Sequence, residues 1–239
     1  RRTGSSVSVI TAEDIADRGA ALVSEALKGT SGLDVVQSGG PGGNTAVFIR
    51  GANPEHTLVL IDGVEVNNPI TPNRAFDFVS LSPDNVERIE VLRGPQSTLY
   101  GSDALGGVIN IISREGQGPP SGFVSFEGGA YQTFLERAGI SGAERSLDYS
   151  LGLSRLDTQG ISAAGAAYGN SESDAFHGSS FSGRFGAGSR QDARASLFLR
   201  YQDSQSDLDN SGGTGGDDPN RRLDDEMIFV RGQGELSWF

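Results

Sequence analysis

The chain has 239 residues, with 19 basic against 31 acidic side chains for a formal net charge of −12, and no cysteine. That balance excludes nucleic-acid binding through a basic surface, and the missing cysteine removes disulfide frameworks and thiolate metal sites. Hydrophobic residues are only 36% of the chain and 35 positions are glycine, so the core is lean and the backbone turns tightly and often.

From the N-terminus, Val7, Val9 and Ile10 predict a short strand. Thr11 reads as a helix N-cap, with Glu13 and Asp14 in the first turn to suit the helix dipole. Leu22, Val23, Ala26 and Leu27 repeat at helical spacing, and Gly29 ends that helix. Strands are expected at Asp34 to Gln37, Ala46 to Ile49 and Thr57 to Ile61. The Asp62-Gly63 pair then turns the chain into Val64-Glu65-Val66, a hairpin signal. Two β-branched runs, Ile89 to Leu92 and Val108 to Ile112, flank an insert rich in turn residues and complete a small α+β domain over residues 1–114. Residues 115–122, Glu-Gly-Gln-Gly-Pro-Pro-Ser-Gly, read as a linker.

Over residues 123–239 the period becomes two. Leu147, Tyr149, Leu151 and Leu153 alternate with Ser146, Asp148, Ser150 and Gly152, and Ala193, Ala195, Leu197, Leu199 and Tyr201 alternate with Arg194, Ser196, Phe198 and Arg200. Near the end, Ile228, Val230, Leu236 and Trp238 share one face while Arg231, Gln233 and Glu235 share the other. With weaker candidates at Phe123 to Tyr131, Thr133 to Ile140 and Phe176 to Phe185, about six antiparallel strands result. Short turns at Ser141 to Glu144 and Ala187 to Ser189 alternate with long polar loops at Asp157 to Asp174 and Gln202 to Asp225. That layout, with Tyr131, Tyr201, Trp238 and Phe239 near strand ends, is the one found in outer-membrane barrels. No run approaches the roughly 18 apolar residues of a membrane helix, so any crossing would be made by strands. A soluble antiparallel sandwich with one wet face shows the same alternation.

Several segments carry a family resemblance. Val9-Ile10-Thr11-Ala12-Glu13-Asp14-Ile15, Phe48-Ile49-Arg50-Gly51, Thr57 to Val64 and the Asp84 to Arg114 block resemble, in order, the plug domain of TonB-dependent outer-membrane transporters. Gly39-Gly40, His56 and Tyr100-Gly101-Ser102-Asp103-Ala104 most resemble the vitamin B12 (cobalamin) branch. The resemblance implies an α+β plug domain followed by the first antiparallel strands of a transmembrane β-barrel of roughly 22 strands, in the outer membrane of a Gram-negative bacterium. It implies a receptor, working as a monomer among outer-membrane lipids, that imports cobalamin or a ferric siderophore. Energy would come from TonB, through a TonB box upstream of Arg1 that adds as a strand to its partner. No signal peptide is visible, and a start at Arg1-Arg2 reads as a processed or trimmed end. Six strands cannot close a barrel, so the chain is expected to be a fragment.

The same resemblance assigns Arg50 and Arg93, each between an apolar strand and a glycine, to a lock that faces barrel carboxylates. Read from the residues alone, they are strand-end arginines with Glu87 and Glu90 as nearby partners. Substrate contact is expected on the two polar loops placed where plug apices belong, at Ser38, Asn44, Asn67, Asn68, Asn73 and Arg74. Asp203, Asp207, Asp209, Asp217 and Asp218 space carboxylates around Gly212-Gly213, a composition that can hold calcium or simply form a solvated acidic loop. No cofactor is required by this reading.

Enzyme signatures fail. Gly39 to Thr45 is neither a P-loop nor a dinucleotide fingerprint. No nucleophile elbow occurs, and His56 and His177 lack metal-ligand spacing. The competing architecture from another class is a soluble periplasmic binding module, an α+β domain joined to a β-sandwich.

Overall fold

The computed structural model describes residues 6–69, 71–162, 173–189, 192–208 and 221–237. The chain divides into two compact units, one of residues 1–38 and 44–113, the other of residues 39–43 and 114–239.

The first unit is built on a five-stranded sheet. Its strands are β1 (Ser6–Thr11), β4 (Thr57–Ile61), β5 (Val64–Glu65), β6 (Val86–Arg93) and β7 (Gly107–Ser113), in the order β1-β6-β7-β4-β5. Only β4 and β7 run parallel; the other neighbours are antiparallel. Every residue of β4 is buried, as expected of an inner strand covered on both faces. Val59, Ile89, Val91 and Ile109, all at 0% exposure, share one face of the sheet, while Val108, also at 0%, clusters on the other with Leu58, Leu60 and Ala104. A separate hairpin pairs β2 (Leu33–Gln37) with β3 (Thr45–Ile49).

Thr11 caps α1 (Ala12–Asp17) as the sequence predicts. Its hydroxyl accepts from the Asp14 amide at 3.1 Å, and the Asp14 carboxylate accepts from the Thr11 amide at 2.8 Å. The single helix expected to continue to Gly29 is instead broken in two, and α2 (Val23–Leu27) is a separate element. Gly19, at φ +60°, leaves helical space, and Leu22 enters α2 in extended conformation. Glu25 Oε2 accepts from the Ala21 amide at 2.7 Å, and Arg18 Nη1 donates to the Ala26 carbonyl at 2.5 Å. These contacts hold the break with side chains from both helices. The Asp62-Gly63 turn has positive φ at both residues, which is what this dipeptide supplies. Asp62 is fixed further by its carboxylate, which accepts from the Ser113 amide at 2.9 Å and the Ser113 hydroxyl at 2.6 Å.

The second unit is one six-stranded antiparallel sheet in chain order: β8 (Ser121–Gly129), β9 (Thr133–Glu144), β10 (Leu147–Thr158), β11 (Phe176–Gly188), β12 (Ala193–Asp207) and β13 (Arg222–Leu236). Among the described residues the sheet is open, with β8 and β13 at its edges, and it is not split into the two facing layers of a sandwich. Several strands run further than the alternation suggested. Ser141 to Glu144, expected as a turn, belong to β9 and pair with β10; the reversal falls at Arg145, φ +56°. Likewise β12 continues through Asp203 and Gln205 to Asp207, and β13 begins at Arg222, both inside the expected loop. The apolar signal stops at Tyr201 while the backbone ladder continues, because a strand needs paired backbone groups whether or not its outward side chains are apolar.

The two faces of this sheet are inverted relative to a soluble protein. Phe126, Leu147, Leu153, Leu197, Ile228, Val230 and Leu236 are exposed, while Ser150, Ser182, Arg184, Arg200, Gln202, Ser204 and Ser206 are buried. On the polar face Arg194 pairs with Asp148, and Arg184 with Glu115, each at 2.6 Å.

Two outcomes follow for the first unit. A Cβ on Gly107 would overlap the Leu92 carbonyl and sit 2.9 Å from Ile49 Cδ1. Gly107→Ala should therefore cost about 1–3 kcal/mol, read by urea unfolding. The hydrogen bonds from Thr11 hold the Asp14 carboxyl below the usual carboxylate range. Its contribution is complete above the unfolded carboxylate pKa of about 4 and is lost as pH falls through the lowered folded value. Asp14→Asn should thus be less stable near neutrality and show a shallower acid limb than the parent in pH-dependent thermal melts.

Candidate functional site

Three connecting segments of the first unit are joined by side chains. They are the residues beside the β2–β3 hairpin tip, the stretch from Val66 to Asp77, and the stretch from Gly94 to Gly106. Asp77 ties the first two together: its carboxylate accepts from Asn44 Nδ2 at 2.7 Å, from the Thr45 amide at 2.8 Å and from the Val79 amide at 3.0 Å. Arg74 ties the second to the third. Its guanidinium lies 2.6 Å from Glu65 Oε1 on β5 and 3.0 Å from Asp103 Oδ2 in the short 3₁₀ turn Ser102–Ala104. Arg74 sits at φ +51°, a conformation L-residues adopt at a cost and keep where surrounding contacts enforce it.

The predicted contact residues separate on this geometry. Ser38, Asn44, Asn68, Asn73 and Arg74 are exposed, whereas Asn67 is 5% exposed. Its Oδ1 accepts from the Val59 amide at 2.7 Å, and its Nδ2 donates to the Thr57 carbonyl at 3.0 Å and the Arg74 carbonyl at 3.1 Å. Asn67 thus imitates a strand residue beyond the end of β5 and holds the start of the loop. Arg74 is engaged by two carboxylates, so an anionic ligand would have to compete with them. Ser38 closes the hairpin tip through its amide, 2.9 Å from the Asn44 carbonyl.

Sequence reasoning missed Asp77, Glu65 and Asp103, whose partners lie 33, 9 and 29 residues away along the chain. A lone aspartate between apolar residues carries no local signal of such a tie. It also missed the apolar content of the third segment. There α3 (Ser97–Tyr100) and the following turn leave Leu99 78%, Tyr100 43% and Leu105 48% exposed.

Arg50 and Arg93 converge around Gly32. A Cβ at that glycine, φ +75°, would lie 3.2 Å from Arg93 Cδ and 3.8 Å from Arg50 Cγ. Arg50 is exposed and Arg93 is 7% exposed. The Arg93 guanidinium donates to the Ser31 carbonyl and, at 2.8 Å each, to the hydroxyls of Ser6 and Ser8. Glu90 takes Arg88 as its partner, at 2.7 Å.

In the second unit, Asp203 is exposed on β12, and Asp207 pairs with Arg222 at 3.1 Å across the β12–β13 ladder. Asp209, Asp217 and Asp218 lie outside the described residues, and among the described residues no three potential ligands come together as a metal site. His177 Nδ1 lies 2.7 Å from Asp157 Oδ1, whose other oxygen is 2.6 Å from Arg155 Nε. Tyr131 and Tyr201 are exposed; Trp238 and Phe239 lie outside the described residues.

Truncating Asn67 leaves the Val59 amide and Thr57 carbonyl of a buried strand without that partner. Asn67→Ala should cost about 1–3 kcal/mol in unfolding free energy and Asn68→Ala close to nothing, a contrast that parallel denaturation curves would read.

Comparison with known proteins agrees with this architecture. Residues 1–108 match the family model of the TonB-dependent receptor plug domain. The ferripyoverdine receptor of the Pseudomonas aeruginosa outer membrane, solved with ferripyoverdine bound, matches over 100% of this chain and 32% of its own, at 18% identity and TM-score 0.74. A mutant ferric enterobactin receptor from Pseudomonas aeruginosa, in complex with enterobactin, matches over 97% and 39%, at 24% identity and TM-score 0.69. The ferric yersiniabactin uptake receptor of Yersinia pestis matches over 85% and 32%, at 20% identity and TM-score 0.67. The chain therefore spans about a third to two-fifths of the length of these receptors. Residues 1–108 thus match the plug-domain model, and the chain as a whole shares its fold with about a third to two-fifths of each of these receptors.

Proposed function

We propose that this chain is the N-terminal part of an outer-membrane receptor of a Gram-negative bacterium that imports a ferric siderophore, with the plug closing the barrel lumen until it is displaced. The observation that carries the reading is the inverted six-stranded sheet that directly follows the plug. Most of its large apolar side chains, among them Phe126, Leu153, Leu197, Ile228 and Val230, are exposed, while Ser150, Ser182, Arg184, Arg200, Gln202 and Ser204 are buried, the arrangement a strand takes between lipid and a wet interior. An open sheet edge in lipid leaves backbone groups unpaired, so β8 and β13 would meet further strands of a longer protein. The named relatives are receptors for ferripyoverdine, ferric enterobactin and ferric yersiniabactin, which favours an iron chelate over cobalamin as the cargo.

In this reading Ser38, Asn44, Asn68 and Asn73 meet the ligand from the plug side, while Asn67, Asp77 and Arg74 hold their loops in place. Arg50 and Arg93 face barrel carboxylates as the lock. Energy arrives from TonB through an N-terminal TonB box, the receptor works as a monomer, and calcium, if bound, sits on the acidic loop between β12 and β13.

Ligand binding by the full-length parent in detergent tests the proposal, with ferric siderophores, haem and cobalamin compared in the presence and absence of calcium. Saturable binding of a ferric siderophore is the expected result. Tight cobalamin binding would keep the transporter and replace its cargo. A parent that stays soluble and monomeric without detergent would overturn the membrane reading.

A further inference from the structure

The N-terminal strand β1 is weakly held for an element of the plug core. Among the described residues it is an edge strand, paired only with β6. Its outward residues Val7 and Val9 are 50% and 49% exposed, and Ile10, near its far end, is the residue it buries, at 3%. The Ser6 end has no comparable apolar anchor. There Ser6 pairs in register with Arg93, and the Arg93 side chain crosses the strand to reach both the Ser6 and Ser8 hydroxyls at 2.8 Å. The same guanidinium donates to the Ser31 carbonyl, so it also fastens β1 to the loop that precedes β2. Gly32 makes room for this crossing, since a Cβ there would press on Arg93 Cδ.

We infer that Arg93 is the latch of the N-terminal strand: it secures the Ser6–Ser8 end of β1, and its release is the first step in removing β1 from the sheet. The inference rests on the proposed function only for its purpose, since a pull on the N-terminus would meet the Ser6 end first. Charge-assisted bonds from a guanidinium largely withdrawn from water are strong for their number. They also break individually as the strand peels, because each hydroxyl lies on the departing element. The guanidinium stays behind on β6, with donors to spare for a carboxylate, so the latch and the lock can be successive uses of one side chain.

Amide hydrogen exchange on the whole chain tests the latch without any partner or ligand. Ser6→Ala/Ser8→Ala removes two acceptors from an edge strand without disturbing the core, and Arg93→Lys keeps the charge but loses the fork that spans three acceptors. Both variants should speed exchange of β1 amides about ten- to hundredfold while leaving β4 and β7 amides unchanged. Unchanged β1 exchange would overturn the latch, and so would equal acceleration in β1, β4 and β7, which would make Arg93 an ordinary core residue. A parent that bound no siderophore would leave this result standing, so the two failures are separable.

Discussion

An arginine withdrawn from water must find acceptors or a carboxylate, and both units of this chain are organised around satisfying that demand. In the plug, Arg93 spends its donors on a carbonyl and two hydroxyls drawn from β1 and from the loop before β2. In the second unit, Arg184 and Arg194 lie on the buried polar face and meet Glu115 and Asp148. Removing one partner from such a pair costs about 3–5 kcal/mol, far more than a surface ion pair contributes. The register of each sheet is thereby tied to charge as well as to apolar packing.

The two units solve the hydrophobic problem in opposite ways. The plug buries a β-branched core on inner strands and leaves polar loops outside, as a soluble domain does. The strand unit exposes most of its large apolar residues and buries several serines together with Gln202, Arg184 and Arg200. The inverted arrangement is stable where the solvent on the apolar side is lipid. Gly186 leaves the space in which Asp148 and Arg194 meet, since a Cβ there would overlap both side chains.

Loop order in the plug comes from a few polar side chains acting as surrogate backbone. Asn67 continues the pairing of β4 where β5 stops, Asp77 binds two amides and an asparagine, and Asp62 grips the end of β7 through Ser113. Short side chains with fixed donors and acceptors do this well because little rotamer freedom is lost in the bond. The rigid loops then present Ser38, Asn44, Asn68 and Asn73 at the surface from a defined frame.

Local sequence determined much of this architecture. β-Branched runs specified the plug strands, Thr11 and Asp14 specified a cap, Asp62-Gly63 specified a turn, and period-two alternation specified six strands in the second unit. Each of these signals acts over a few residues through backbone preference or the alternation of a pleated strand, so it survives without knowledge of the rest. The break between α1 and α2 depended on contacts made by Arg18 and Glu25, which helical spacing does not reveal. The continuation of β9, β12 and β13 beyond their apolar residues depended on neighbouring ladders. Above all, only the tertiary structure decided which of six polar loop residues faces solvent and which, Asn67, is buried, and that Arg93 turns to β1. Those outcomes hinge on partners between about ten and ninety residues away, brought into reach by sheet topology, and hydrogen-bond geometry at that distance leaves no trace in the local sequence.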